Sequence, residues 1–184
     1  MREYRELLSD VPFDLILPAA AGIDIIVDET GETFEDNARL KATALAGKSG
    51  LLTIADDSGL EVKALGGEPG VRSARYAGEN ASDIQRVEFL LEKLKGIPWE
   101  KRTARFRCVI AIAEPGGNVE FCSGDCAGFI TFEPFGENGF GYDPVFYLPE
   151  FGKTMAELSP AEKNRISHRG LAARKAAEIL KKRL

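Results

Sequence analysis

Two carboxylates stand side by side in the run Ile54-Ala55-Asp56-Asp57-Ser58-Gly59-Leu60. The apolar residues before them predict a β-strand, and the Ser-Gly pair after them predicts a turn. In open α/β sheets, ligands bind beyond such strand ends. Adjacent carboxylates repel each other, so they need a cation, a shared proton or solvent, and Mg²⁺ often takes one or two of them together with phosphate oxygens. The run therefore predicts either a metal site at a strand end or a solvated turn.

The rest of the chain mixes strand and helix patterns, which predicts an α/β fold. A turn at Pro115-Gly116-Gly117-Asn118 predicts a hairpin, so we expect a mixed sheet and not a purely parallel one. We expect helices at residues 2–8, 33–48, 82–94 and 168–184, and a short helix that starts at Ser159. We expect strands at residues 15–17, 23–27, 51–55, 103–113, 119–122 and 129–132, with residues 60–62 continuing the third.

Length and composition describe an ordinary globular protein with a single domain, residues 1–184. Of its 184 residues, 44% are hydrophobic and 29% are charged. A net charge of −5 argues against a general nucleic-acid-binding protein, but a small phosphorylated ligand needs only a local basic pocket or a metal. Three cysteines without metal-ligand spacing indicate free thiols. Because there is no signal segment and no apolar run of about 18 residues, we expect a cytoplasmic protein with no membrane or nucleic-acid partner.

Lys41 is unusual because it falls within the apolar stripe of the helix expected at residues 33–48. Asn37 lies one turn before it, at the edge of that stripe. A charged group in such a place either snorkels to solvent or has an anionic partner. Lys41 is therefore either a snorkelling side chain or a phosphate-binding lysine on a helix that packs against the Asp-bearing strand. Glu29, before the Thr30-Gly31 turn, is either a third carboxylate of the site or a solvated turn residue.

A glycine-rich loop at residues 134–143 ends in Phe140-Gly141-Tyr142-Asp143. Glycines let a backbone approach a ligand closely, and an exposed ring there can stack on a base. The alternative is that both rings are core aromatics that flank a turn.

His168 and Arg169 open the last helix, where donors suit a carbonyl or phosphate oxygen, although a lone histidine is more often structural. Lys163 adds a positive charge upstream.

Together these features supply acids for a metal, cations for phosphates and a ring for a base. They point to metal-assisted hydrolysis or transfer on a nucleotide polyphosphate. The chain also resembles the inosine triphosphate pyrophosphatase family in motifs that follow the family's order and span almost its whole length. These motifs are Thr33-Phe34-Glu35-Asp36-Asn37-Ala38 with Lys41-Ala42, Ala55-Asp56-Asp57-Ser58-Gly59-Leu60, Leu65-Gly66-Gly67-Glu68-Pro69-Gly70 with Ser73-Ala74-Arg75-Tyr76, Gly139-Phe140-Gly141-Tyr142-Asp143-Pro144 and Ser167-His168-Arg169-Gly170.

The resemblance implies an elongated mixed α/β fold with a central nucleotide-binding cleft, in a homodimer. It implies magnesium-dependent hydrolysis of the non-standard purine triphosphates ITP, dITP and XTP to the monophosphate and pyrophosphate. By match to the family's motifs, Asp57 is the general base, Lys41 is a catalytic phosphate-binding lysine, and Asp57 and Glu29 are the magnesium ligands. Phe140, Gly141, Tyr142 and Asp143 match the base-binding loop, with Phe140 as the stacking ring. His168 and Arg169 match contacts near the purine 6-oxo group. The other matched substrate contacts are Asn37, Ser58 and Lys163.

The beginning of the chain departs from the family pattern. Family members begin with an apolar strand and a Thr/Ser-Gly-Asn-x-x-Lys loop that holds triphosphate, whereas this chain starts at Met1-Arg2-Glu3-Tyr4, which resembles the helix that follows. Relative to that pattern we expect roughly a dozen residues, about one strand and a turn, to be missing. This departure supports a second hypothesis, a catalytically impaired nucleotide-binding protein. A third hypothesis is a related pyrophosphatase that acts on modified pyrimidine or guanine nucleotides.

Overall fold

The structure is a computed structural model that describes residues 2–183. Within those residues the chain divides into two compact units. The first unit contains residues 2–58, 108–124 and 168–183, and the second contains residues 59–107 and 125–167. None of the helices in the described part of the chain is long and apolar enough to cross a membrane.

The chain combines helices with a five-stranded sheet, so the α/β prediction is confirmed. The helices are α1 (Arg2–Leu7), α2 (Phe34–Ser49), α3 (Asp83–Lys93), α4 (Pro160–Ile166) and α5 (His168–Lys181). The strands are β1 (Thr53–Val62), β2 (Thr103–Ala113), β3 (Val119–Ile130), β4 (Phe146–Leu148) and β5 (Lys153–Thr154), in the order β1-β2-β3-β4-β5. β4 pairs antiparallel with both of its neighbours, with Phe129 opposite Tyr147 and Leu148 opposite Lys153.

The predictions for α1, α2, α3 and the start of α4 are confirmed to within a residue, and capping residues explain the ends of α2 and the start of α3. The Thr33 hydroxyl accepts a hydrogen bond from the Asp36 N–H at 3.1 Å, which starts α2. Gly50 ends the helix with a φ of +67°, a conformation that glycine adopts without strain. Ser82 and Gln85 form a reciprocal capping box at the start of α3. The helix predicted at 168–184 ends three residues earlier, at Lys181, and the last of those three residues, Leu184, lies outside the described residues.

Two strand predictions, at residues 15–17 and 23–27, are wrong. Both segments are irregular, because an extended backbone becomes a strand only when a neighbouring backbone pairs with it. The Ile23 N–H instead donates to the Pro18 carbonyl at 2.9 Å and closes the 3₁₀ turn Pro18–Ala21. Within this segment Ile23 is buried, whereas Ile26 is 95% exposed. Of the strand predicted at 129–132, only Phe129 and Ile130 are strand residues, and they end the longer β3.

The prediction that the Asp pair ends a strand is also wrong. β1 runs without a break from Thr53 to Val62, so Asp56 and Asp57 lie in its middle and Ser58-Gly59 is not a turn. The side chains of successive strand residues point to opposite faces, and the two carboxylates therefore have separate surroundings.

Each unit has its own hydrophobic core. In the first unit, small residues of α5 such as Ala172 and Ala176 pack with Cys108, Ile110 and Ile112 of β2. In the second unit, α3 packs its apolar side against residues from the strands and from the segment that precedes α4. The largest buried side chains there are Leu60, Leu90, Leu94, Ile130, Phe146, Met155 and Leu158. Asp57 on β1 and Arg169 on α5 therefore project from elements that contribute to these cores.

Candidate functional site

Lys41 lies between two carboxylates in the first unit. Its Nζ donates to Glu29 Oε1 at 2.8 Å and to Asp57 Oδ1 at 3.1 Å. The Lys41 side chain is only 21% exposed, so its stem is largely covered while its ammonium group contacts both acids. Of the two interpretations of Lys41, the anionic partner is the one observed. Glu29 belongs to the same cluster and is not simply a solvated turn residue.

Asn37 reaches the same carboxylate from one turn earlier on α2. Its Nδ2 donates to Asp57 Oδ2 at 3.2 Å, and its Oδ1 accepts from the Gly31 N–H at 2.8 Å. The bond to Gly31 fixes which end of the Asn37 amide faces Asp57. A Cβ on Gly31 would lie 2.7 Å from Asn37 Oδ1 and 2.5 Å from Asp36 Cβ, so this close approach requires glycine.

Asp57 is nearly buried, at 8% exposure, and both of its oxygens accept hydrogen bonds. Burial raises the pKa of Asp57 above its ordinary value, although the charge and hydrogen bond of Lys41 oppose the rise. Burial lowers the pKa of Lys41, but its contacts with Glu29 and Asp57 outweigh that effect, so its pKa is raised. Lys41 is thus a permanent cation, and Asp57 is a carboxylate with increased affinity for a proton, as a general base requires.

Asp56 faces away from this cluster and has its own cation. Its Oδ2 accepts from Arg169 Nη2 at 3.3 Å and from Arg169 Nε at 3.4 Å. The same Nη2 donates to Ser58 Oγ at 3.1 Å, because Ser58 is two residues further along the strand and shares its face. The adjacent carboxylates are therefore neutralised separately, Asp57 by Lys41 and Asp56 by Arg169. This separation explains why the Asp pair is stable in mid-strand.

The position of Arg169 depends on how closely α5 approaches β3. Gly124 lies on β3, and a Cβ there would lie 2.2 Å from the His168 carbonyl oxygen and 2.6 Å from the Ala172 nitrogen. Only glycine allows this contact without displacing the helix. The His168 side chain, in the first turn of α5, is 7% exposed. Arg169 therefore projects from a helix start whose place is set by packing.

In the second unit, the loop at residues 139–143 exposes one aromatic ring and buries the other. Phe140 is 54% exposed, which suits a stacking surface. Tyr142 is 4% exposed, and its hydroxyl donates to the Ser73 carbonyl oxygen at 2.9 Å. Tyr142 is therefore a core aromatic, whereas Phe140 has the exposure that stacking on a base requires.

Lys163 and Asp143 form a buried ion pair against this loop. Lys163 Nζ lies 2.5 Å from Asp143 Oδ2, and the two side chains are 9% and 4% exposed. The Phe140 N–H donates to the same oxygen at 2.9 Å, and Lys163 Nζ lies 4.4 Å from the centre of the Phe140 ring. A Cβ on Gly139 would lie 2.0 Å from Asp143 Oδ2, so glycine is required here too. Lys163 therefore stabilises the loop through its contacts with Asp143 and Phe140, in addition to carrying a positive charge.

The predicted site residues form two groups, each within one unit. The first unit contains Glu29, Asn37, Lys41, Asp57, Ser58, His168 and Arg169. The second contains Phe140, Gly141, Tyr142, Asp143 and Lys163. Sequence reasoning did not identify Gly31, which orients Asn37, or Asp83, whose Oδ2 accepts from the Gly141 N–H at 2.7 Å. No local pattern signals Asp83, because an acid at a helix start is ordinary.

Glu29 and Asp57 offer the hard carboxylate oxygens that a magnesium ion prefers. They already share one cation, the Lys41 ammonium group. In the part of the chain that the structure describes, no group of three or more His, Cys, Asp or Glu side chains is arranged to hold a metal by itself. The donor set therefore fits an ion that brings further ligands with it, such as the phosphate oxygens and waters of a metal–nucleotide complex.

Known proteins are similar to this chain in sequence and fold over nearly its whole length. Residues 1–179 match the Ham1 family. The chain is 52% identical to the dITP/XTP pyrophosphatase of Desulforamulus reducens, over 98% of this chain and 90% of that protein. It is 48% identical to the dITP/XTP pyrophosphatase of Bacillus subtilis, over 98% of this chain and 91% of that protein. The solved structure of a HAM1 protein from Coxiella burnetii matches with a TM-score of 0.92 at 45% identity, over 98% of this chain and 92% of that one.

Proposed function

Because this chain belongs to the Ham1 family, we propose that it hydrolyses dITP, ITP and XTP to the nucleoside monophosphate and pyrophosphate. Such an enzyme removes non-standard purines from the nucleotide pool. The observation that carries this proposal is the nearly buried Asp57, whose two oxygens are held by Lys41 and Asn37. Asp57 is a base and Lys41 is a cation in direct contact with it, and phosphoryl chemistry requires both.

In the proposed reaction a water molecule attacks the α-phosphorus, and Asp57 takes the proton from that water. The bond from the α-phosphorus to the bridging oxygen breaks, and pyrophosphate leaves. Asn37 and Lys41 prevent the carboxylate from rotating, so its proton-accepting oxygen stays in place. The ammonium group of Lys41 also offers positive charge to the phosphates of the substrate.

Magnesium is the cofactor that we propose, with Glu29 and Asp57 as its protein ligands. When bound, it would neutralise phosphate charge and help to orient the attacking water. We expect a chelator to abolish pyrophosphate release, and added Mg²⁺ to restore it. Titration of the chelated enzyme with Mg²⁺ and, separately, with Ca²⁺ would measure this requirement. Full release in excess chelator would contradict the metal assignment, including Asp57 as a metal ligand, and would leave open Asp57 as the general base.

For base recognition we propose that Phe140 stacks on the purine and that His168 and Arg169 donate hydrogen bonds near its 6-oxo group. Adenine carries an amino group at that position, which would leave a donor facing a donor. An unpaired buried donor costs about 1–3 kcal/mol, which corresponds to a severalfold to hundredfold preference for a 6-oxo base over adenine. The remaining matched residues, Ser58 and Lys163, are proposed substrate contacts.

A substrate panel tests the proposed function directly. Pyrophosphate release is measured with Mg²⁺ and ITP, dITP, XTP, ATP, GTP or a modified pyrimidine or guanine triphosphate, and we expect release from the first three to exceed release from ATP by about fivefold or more. Thermal stabilisation by ITP without any release would instead favour the impaired nucleotide-binding protein. Preferential release from modified pyrimidine or guanine nucleotides would favour the third hypothesis.

We further propose that residues 1–184 act as one pyrophosphatase domain in a cytoplasmic homodimer without a nucleic-acid or membrane partner. Light scattering during size-exclusion chromatography would measure the mass in solution, and a mass of one chain would contradict the dimer.

A further inference from the structure

We infer that Asp83 is a positioning residue for the base-binding loop, a role that rests on the proposed function. Asp83 is the first residue of α3, and its Oδ2 accepts from the Gly141 N–H at 2.7 Å across a separation of 58 residues. Gly141 lies between Phe140, which is exposed, and Tyr142, which is buried. The contact therefore holds the loop directly beside the ring that we propose for stacking.

Asp83 is itself held in place. Its other carboxylate oxygen pairs with Arg86, one turn further along α3. Arg86 Nη1 also donates to the carbonyl oxygens of Ala74 at 2.9 Å and Ala81 at 2.5 Å, and its side chain is 18% exposed. The Gly141 N–H, together with Arg86, holds the pKa of Asp83 below its ordinary value, so the charged form persists. The carboxylate cannot turn away from Gly141 without breaking its pair with Arg86.

A second anchor acts on the next residue of the loop. The Tyr142 hydroxyl donates to the Ser73 carbonyl oxygen at 2.9 Å. The Ser73 hydroxyl in turn accepts from the Leu60 N–H at 2.9 Å and donates to the Gly70 carbonyl oxygen at 2.7 Å. Residues 73 and 74 thus anchor the loop through Tyr142 and, by way of Arg86, through Asp83. The motif Ser73-Ala74-Arg75-Tyr76 contains no proposed catalytic or substrate-binding residue, and these contacts give its first two residues a structural role.

The backbone at Gly141 shows why its N–H needs an acceptor from elsewhere. Its φ of +61° is a left-handed conformation, and a Cβ there would meet nothing within 4 Å. Glycine is thus required by conformation and not by space, and glycine is also the residue with the most freedom to leave that conformation. A fixed acceptor such as Asp83 selects one loop conformation. Without it, the competent state becomes a smaller fraction of the ensemble, which weakens apparent substrate affinity.

The test compares Asp83→Ala with Asp83→Asn, using KM and kcat for ITP together with hydrogen exchange at the Gly141 amide. For Asp83→Ala we expect KM to rise about tenfold with kcat within about twofold, because the chemistry at the phosphates is unchanged. We expect Gly141 exchange to accelerate by about tenfold or more. Asp83→Asn keeps one acceptor oxygen, which can serve Gly141 or Arg86 but not both, so it should recover both effects only in part.

Ser82→Ala is the matched control. It removes the hydroxyl that caps the same helix at Gln85 N (3.2 Å) but does not contact the loop, so KM and Gly141 exchange should stay as in the wild type. An equal KM rise in Ser82→Ala would reduce the role of Asp83 to helix stability and overturn the inference. Unchanged Gly141 exchange in Asp83→Ala would also overturn it. If the wild type releases no pyrophosphate, the proposed function fails, while exchange at Gly141 still decides whether Asp83 anchors the loop.

Discussion

Asp57→Asn is expected to reduce kcat for ITP hydrolysis by roughly 10³-fold, because an amide cannot accept the proton of the attacking water. The geometry adds a second loss. Lys41 donates to one oxygen of Asp57 and Asn37 donates to the other, while the bond from Gly31 keeps the Asn37 amide from flipping. An asparagine at position 57 has only one oxygen, so one of those two donors must face an NH₂ group.

The measurement is pyrophosphate release by the wild type and the variant at saturating ITP, with thermal unfolding to show that both are folded. Asp125→Asn is a suitable control because Asp125 is also a strand aspartate, but its side chain is 48% exposed and lies 3.9 Å from Arg107. We expect the control to retain wild-type activity. Release by Asp57→Asn within tenfold of the wild type would rule out Asp57 as the general base.

The helices could be read from the sequence because their signals are local. Thr33 with Asp36, Gly50 and Ser82 with Gln85 mark helix ends within a few residues of the helix itself. Lys41 could be singled out for the same reason, since a charge within an apolar stripe is visible on a helical wheel. The sequence indicates that Lys41 needs an anionic partner, but only the fold brings Glu29 and Asp57 to within hydrogen-bond distance of it.

The errors concern features that depend on partners far away in the chain. Residues 23–27 have a strand-like pattern, but strand formation needs a second backbone, and no local pattern supplies one. Asp56 and Asp57 look like the end of a strand because Ser58-Gly59, a turn signal, follows them. Arg169, more than a hundred residues later, neutralises one of them on the opposite face from Lys41, and β1 therefore continues. Asp83 carries no local signal for the same reason, since its partner Gly141 is distant in sequence.

Lys41→Met is expected to reduce kcat by roughly 10²-fold and to raise KM for ITP, because the variant loses the cation that offers charge to the phosphates. Methionine has nearly the same length and is apolar, so the packing of α2 should be kept. Lys41→Arg keeps the charge but replaces a compact ammonium group by a planar fork, so an intermediate rate is expected. Lys48→Met provides the control in the same helix, since Lys48 is exposed near its end, and should retain wild-type rates.

Lys41 has a second role that a double variant can separate from the first. Without its ammonium group, Glu29 and the nearly buried Asp57 lose the cation that they share, so Lys41→Met should also lower the melting temperature. Adding Glu29→Gln removes one of the two negative charges. If Lys41 stabilises the fold by neutralising both acids, the double variant should regain much of that stability and none of the activity, as a double-mutant cycle would measure. Recovery of pyrophosphate release along with stability would show that Lys41 acts on its neighbouring carboxylates and not on the phosphates of the substrate.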